Sequence, residues 1–273
     1  YMDEVERVLY NNVLTGVSLS GDKYTYQNPL NTDKPDRWEW HVCPCCPPMF
    51  LKIMAAMPGY IYAYQGDNVY VNLFIGSEVR IPVGDNSVRL KQLTSYPWHG
   101  AVSIQVNPDK ASTFSMKVRI PGWAQGTENP YDLYQSNLKA PVKLKVNQED
   151  VLLRIVDGYA EINREWKKGD HIELELPMQP RLITANKAVE NLRGQVALAS
   201  GPIIYCFEDA DNPELQTFKL QAQTPLELSH DSNLLNGVNI IKCQGDIPAK
   251  AIPYYAVANR EESHSYKVWI PQK

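Results

Sequence analysis

The spacing of apolar positions changes once along the chain, near Gly66. Before it, Val5, Val8, Leu9 and Val13 recur at helical spacing up to Gly16, and Phe50, Leu51, Ile53, Met54 and Met57 resume that spacing after Pro47-Pro48. The pattern predicts one helix ending at Gly16 and a second opened by the two prolines, whose missing N–H groups would have had no partner in a first turn. The second helix is expected to stop at Pro58-Gly59. Between the helices, "KYTYQNPLNTDKPDRWEWHVCPCC" is turn-rich and aromatic and predicts an irregular loop.

After Gly66 the period becomes two. "NVYVNLFIGSEVRI", "VSIQVNP", "TFSMKVRIPGW" and "VLLRIVDGYAEINREWKKGDHIELELPM" alternate or run β-branched, with turn clusters such as Gly84-Asp85-Asn86 and Lys168-Gly169-Asp170 between them. Closely spaced strands with no long helix among them predict a mainly β fold of antiparallel sandwiches and disfavour a parallel α/β sheet. Texture shifts at "LPMQPRLITANKAVEN", bracketed by Pro177 and Pro180, which places a boundary near residue 181. The expected division is a helical segment over residues 1–65, a first sandwich over 66–181 and a second over 182–273. The last strand-like text, "IPYYAVANREESHSYKVWIP", has the pattern to pair with either sandwich.

Composition narrows the partners. With 273 residues and 44% hydrophobic content the chain has enough apolar side chains for one large core or two ordinary ones. A net charge of −4 with thinly spread Lys and Arg offers no basic stripe for phosphates. No apolar run approaches the roughly 18 residues of a membrane span. Nucleic acid and membrane are thus not expected as partners. Sixteen tyrosines and six tryptophans suit sugar rings, but they are expected first of all to fill sandwich cores.

The candidate chemistry lies in "HVCPCCPPMF", which holds three of the five cysteines, Cys43, Cys45 and Cys46. Cys206, inside "GPIIYCFE", reads as a buried strand residue, and Cys243 stands apart, so an evenly spaced disulfide framework is not indicated. Three readings compete for the cluster. A structural zinc site would need two further ligands, and no second cysteine pair exists; His41 could lend one nitrogen. A redox pair would need a strained ring between adjacent Cys45 and Cys46 or an unusually short Cys43-Pro44-Cys45 spacer. A nucleophilic thiol is favoured by a place just before a helix N-terminus, where free N–H groups and the dipole stabilise an anion. The readings merge if one thiolate is both zinc ligand and nucleophile.

Several motifs in order, "YNNVLTGVSLSGDKYTYQNPL", "CPCCPP", "SYPWHGAVSIQV", "VRIPGWA", "GYAEINREWKKGDHIELELPM", "GPIIYCFE" and "IPYYAVANR" followed by "VWIP", resemble the β-L-arabinofuranosidases of glycoside hydrolase family 127 across nearly the whole chain. The resemblance implies the C-terminal portion of such an enzyme: the last helices of an (α/α)6 barrel over 1–65, followed by two jelly-roll-like sandwiches. It implies Cys45 as nucleophile and zinc ligand, Cys46 as zinc ligand, and Tyr26 against the sugar. Cys43, His41 and Trp40 would surround them. The other zinc ligands and a glutamate acid/base are expected upstream of Tyr1, in a barrel that would be this segment's partner.

The implied reaction is retaining removal of β-L-arabinofuranosyl residues from plant-type glycans, with a thiolate in place of the usual carboxylate nucleophile. Asp36 and Glu39, near the cysteines, read as solvated carboxylates, while Trp38 and Trp40 either stack on a sugar or cover the loop. Met49 departs from the family pattern, which has asparagine there. A non-catalytic glycan-binding or scaffold sandwich is the alternative, and a homo-oligomer is compatible with both. These residues show no signal segment, so the compartment is not read from them; a periplasmic or exported site is the family's habit only.

Overall fold

The computed structural model describes residues 1–245 and 247–273. The chain opens with α1, Met2–Val8, which continues through a wider turn over Leu9–Val13 and a tight one over Leu14–Gly16. The predicted helix to Gly16 is thus present but not regular, and Asn11 explains the break. Its side-chain amide donates to the Arg7 carbonyl (2.9 Å) and to the Pro202 carbonyl (2.8 Å), while its oxygen accepts from the Ile204 N–H (2.7 Å). An amide inserted into the helical ladder widens it, and this one also ties the turn to a distant strand.

The second helix, α2, spans Cys46–Ala56, with α3 at Pro58–Ile61 directly after it. No residue of α2 is buried: Leu51 is 66% exposed and Met49 58%. Of its apolar residues, Met54 packs against the main core while Leu51 and Met49 are left exposed by the described residues.

Strands Ser77–Val83, Asn86–Thr94, Ala101–Pro108, Asp170–Glu175, Lys143–Val146 and Glu149–Asp150 form a six-stranded antiparallel sheet. A five-stranded sheet joins Tyr62–Gln65, Asn68–Val71, Ser112–Arg119, Tyr159–Trp166 and Ile155–Val156. The alternation read from the sequence maps onto burial: Val102, Ile104 and Val106 point inward with polar neighbours between them. They share one apolar cluster with Val69, Val71, Met116 and Val118 of the other sheet. Tyr62–Gln65, placed with the helices by the sequence, pairs as a strand in this second sheet. One pairing departs from the antiparallel expectation: Asn68–Val71 runs parallel to Ser112–Arg119, because three strands of the other sheet intervene in the chain and reverse the return direction.

A third sheet of ten strands is centred on Gln195–Ser200 and Ile203–Glu208. These two are buried on both faces, with Leu198, Tyr205 and Phe207 in the main core and Ala197, Ala199 and Cys206 in a second cluster. Two-sided burial is why their text runs almost continuously apolar instead of alternating. Cys206 is buried as read, and burial pushes its thiol well above the ordinary value. The closing strands Tyr266–Lys267 and Ile270–Pro271 pair within this sheet, with Ile203–Glu208 and Gln195–Ser200 respectively. Two early pieces join it as well: Tyr134–Ser136 pairs with Arg181–Ala185, and Asn31–Thr32 with Tyr266–Lys267.

Candidate active site at the cysteine turn

The loop from Val17 to Cys45 has little regular structure, yet it is pinned at many points. Tyr24 bridges Val17 on one side and Trp38 on the other. Arg37 donates from Nε (3.1 Å) and Nη2 (2.9 Å) to the Val257 carbonyl, and from Nη1 (3.0 Å) to the Thr15 carbonyl. Tyr254 and Tyr266 hydroxyls both donate to the Pro29 carbonyl, at 2.9 and 2.8 Å. The Asn31 side-chain oxygen accepts from the Val268 and Trp269 N–H groups. Loop side chains thus pair with backbone groups of the C-terminal segment at Val257, Val268 and Trp269, and two tyrosines of that segment pair with the loop's Pro29 carbonyl.

This pinned loop presents a stack of rings. Trp38 lies against His41 at 4.7 Å between centroids and 17° between planes, Tyr26 against Trp38 at 5.6 Å and 13°, and Tyr26 against His41 at 5.2 Å. Tyr26 and His41, separate candidates in the sequence, form one aromatic platform with Trp38. Trp38 therefore covers the loop, and its indole N–H donates to Asp36. Asp36 is exposed, and Glu39 pairs with Lys23 at 3.8 Å, both as expected of solvated carboxylates. Trp40 is 74% exposed and borders a shallow cleft of about 400 Å³ with Glu39, Pro44, Pro47 and Leu51.

The platform passes directly to the thiols. His41 Nδ1 lies 3.2 Å from the Cys43 N–H, and the Cys45 N–H donates to the Cys43 carbonyl at 2.9 Å. Cys45 is the residue before α2 and Cys46 its first residue. Their sulfurs lie 3.9 Å apart, Cys45 exposed and Cys46 partly so. Desolvation raises the Cys46 thiol above its ordinary value, reinforced by Cys45 and Cys43. The helix start offers less to an anion than its position suggests, since Pro47 and Pro48 have no N–H and Met49 already donates to the Cys45 carbonyl. Among the described residues no Lys or Arg hydrogen-bonds Cys45.

The separation of the two sulfurs suits two corners of a tetrahedral zinc site, where Zn–S bonds near 2.3 Å put the ligands roughly 3.8 Å apart. Cys43 does not extend the pair: among the described residues no group of three or more His, Cys, Asp or Glu is placed to hold a metal. One buried polar atom beside the thiols is unpaired, the Tyr24 hydroxyl.

Two anchors escaped the sequence reading. Arg37 carries no motif signal. The Glu6 site had one: "VRIPGWA" and "SYPWHG" converge on that carboxylate, through Arg119, Trp123 and Tyr96.

Three models of one family match in succession: the glycoside hydrolase family 127 β-L-arabinofuranosidase catalytic domain over residues 1–59, its middle domain over 68–178 and the family's C-terminal domain over 180–271. The chain belongs to glycoside hydrolase family 127. A non-reducing end β-L-arabinofuranosidase of Bifidobacterium longum subsp. longum is 29% identical over 96% of this chain and 44% of its own length. Among solved structures, a family 127 β-arabinofuranosidase superimposes with a TM-score of 0.93 at 35% identity, covering 100% of this chain and 46% of that one. A family 127 β-L-arabinofuranosidase from Geobacillus stearothermophilus T6 gives 0.90 at 34% identity, again covering 100% of this chain and 46% of that one. The chain thus spans less than half the length of these relatives.

Proposed function

We propose that this chain is the C-terminal part of a retaining β-L-arabinofuranosidase whose nucleophile is Cys45. The observation that carries the reading is the pair of accessible thiols, Cys45 and Cys46, 3.9 Å apart at the start of α2 and joined through His41 to the Tyr26–Trp38 platform. At the start of α2 the prolines remove two of the N–H donors a helix start usually lends, and among the described residues no Lys or Arg hydrogen-bonds Cys45. Zinc, when bound, keeps such a sulfur ionised near neutral pH. Cys45 and Cys46 would hold it, with the remaining ligands supplied by the part of the family's length that lies outside this chain. The exposed Met49 and Leu51 of α2 are accounted for in the same way, as the edge of a helical barrel continued by that part; the following sheets are read as two jelly-roll-like domains.

In the reaction the Cys45 sulfur attacks the anomeric carbon as the glycosidic C–O bond breaks, and an upstream carboxylic acid gives its proton to the departing oxygen. Water, deprotonated by the same carboxylate, then displaces the thiolate with overall retention. Tyr26 lies against the furanose ring, held at a fixed tilt by Trp38 and His41. Cys43 shapes the turn by accepting from Cys45 and donating to His41. Met49, exposed in the first turn of α2, replaces the asparagine of the family pattern and would alter contacts to the group beyond the scissile bond.

The test is hydrolysis of an aryl β-L-arabinofuranoside by the full-length protein, with Cys45→Ser and zinc-stripped protein beside it. Activity in the intact protein, lost in both controls and restored by zinc only to the native sequence, is the expected result. Full activity of Cys45→Ser would overturn the assignment.

A further inference from the structure

A cleft of about 760 Å³ lies far along the chain from the cysteine turn, lined by segments 98–101, 140–143, 175–179 and 228–230 and by Asn239. It therefore sits where the six-stranded sheet meets the third sheet. Its walls are built to stay in place. Gly100 packs so tightly on the strand end that a Cβ there would lie 2.0 Å from the Leu176 carbonyl oxygen, and the Leu176 N–H donates back to the Gly100 carbonyl at 3.0 Å. The Trp98 carbonyl accepts from the Asn239 amide at 3.1 Å, which ties the tryptophan's loop to the opposite wall.

That hydrogen bond also fixes the chemistry of the histidine next to it. With the Asn239 NH2 committed to Trp98, its oxygen must accept from His230 Nδ1, 3.0 Å away across the strand pair. Neutral His230 therefore leaves Nε2 as a bare acceptor on an exposed ring. Lys143 and Glu175, both exposed and directly opposite each other in register, balance the charge at the lip. A half-open tryptophan, the apolar side chains of Met178 and Leu228 and neutral polar groups from Gln179 and His230 make a surface that is amphipathic and without net charge.

We propose that this cleft is a second carbohydrate site that takes a neutral oligosaccharide, with Trp98 meeting the apolar face of a sugar ring and His230 Nε2 accepting from a hydroxyl. A neutral ligand follows from the balanced lip. A sugar follows from an aromatic side chain set beside uncharged donors and acceptors, on a protein whose proposed substrate is a glycan. The site rests on that reading for its ligand class and on none of the residues assigned to catalysis.

The experiment titrates a linear arabino-oligosaccharide into the full-length Cys45→Ser protein, following histidine ring ¹⁵N shifts and heat of binding. His230→Ala, on an exposed residue, and Trp98→Phe are expected to weaken this binding about tenfold. Aryl furanoside hydrolysis in the Cys45 background should be unchanged by either, and the His230 Nε2 resonance should shift on saturation. Binding unaffected by both substitutions, or a stoichiometry of a single site lost with Tyr26→Ala, would overturn the proposal. A change of sedimenting mass in His230→Ala would also overturn it, showing the cleft to be an interface between copies. Absence of hydrolysis with cleft binding intact would count against the catalytic reading alone.

Discussion

Arg119 and Glu6, 113 residues apart in the chain, form an ion pair in which each side chain is 2% exposed. Each is further held: Arg119 donates to Asp3 (2.7 Å) and to the Asn72 carbonyl (2.5 Å), and Glu6 accepts from the Tyr96 hydroxyl (2.8 Å) and the Trp123 indole (3.3 Å). The pair fastens α1 to the five-stranded sheet. Arg119→Met is expected to cost about 3–5 kcal/mol in urea unfolding, because Glu6 is left as a buried charge short of its cation. Replacing both, with Glu6→Gln added, should recover part of that loss.

The five thiols should separate by reactivity. Cys43 and Cys45 are exposed, Cys46 is half-exposed and raised by desolvation and its neighbours, Cys206 is buried, and burial pushes Cys243 up to about 12. Titration of this chain with a thiol reagent at neutral pH is expected to give two fast equivalents, one slower, and two only on denaturation. Four or five fast equivalents would contradict the placement of the last two in strands.

Acid should loosen the third sheet at Asp211. Burial opposes ionisation there, but hydrogen bonds from Arg260 and Lys250 outweigh it and hold the carboxyl below its ordinary 3.8. A depressed carboxyl stabilises the fold above the unfolded value, and that contribution is lost as pH falls from about 3.8 toward the folded value. Asp211→Asn should be less stable at neutral pH and show a flatter decline in thermal midpoint between pH 5 and 3, values chosen to bracket roughly that titration.

How much of this was legible in the sequence varies with the range of the interactions. Alternation in "VSIQVNP" gives a strand because one face is buried and the other wet, a local consequence of a period of two. The cysteine turn was legible because its residue types are rare and adjacent. The pairing of Asn31–Thr32 with Tyr266–Lys267 was not, since two-residue strands have no period, and the contacts that make them join positions more than two hundred residues apart. The break at Asn11 was hidden for the same reason, its partner being Pro202.

Tyr26 offers a cleaner test of the site than the cysteines. Its ring is stacked while its side chain remains about half exposed, so the hydroxyl is not needed for folding. Tyr26→Phe is expected to keep the thermal midpoint and lower kcat/KM of the full-length protein about tenfold if the hydroxyl meets the sugar. Tyr26→Ala should lower it further by freeing Trp38 and His41. Equal activity in all three would remove Tyr26 from the site.

The Arg37 and Asn31 anchors have a further consequence. Because the segment leading to the cysteines takes its shape from Val257, Val268 and Trp269, the last sheet serves as a jig for a turn it follows by some two hundred residues. Trimming the chain's end, or grafting a foreign C-terminal domain, would therefore deform the thiols' approach without touching them. Any shortened version built for engineering has to carry those three carbonyl and amide positions with it.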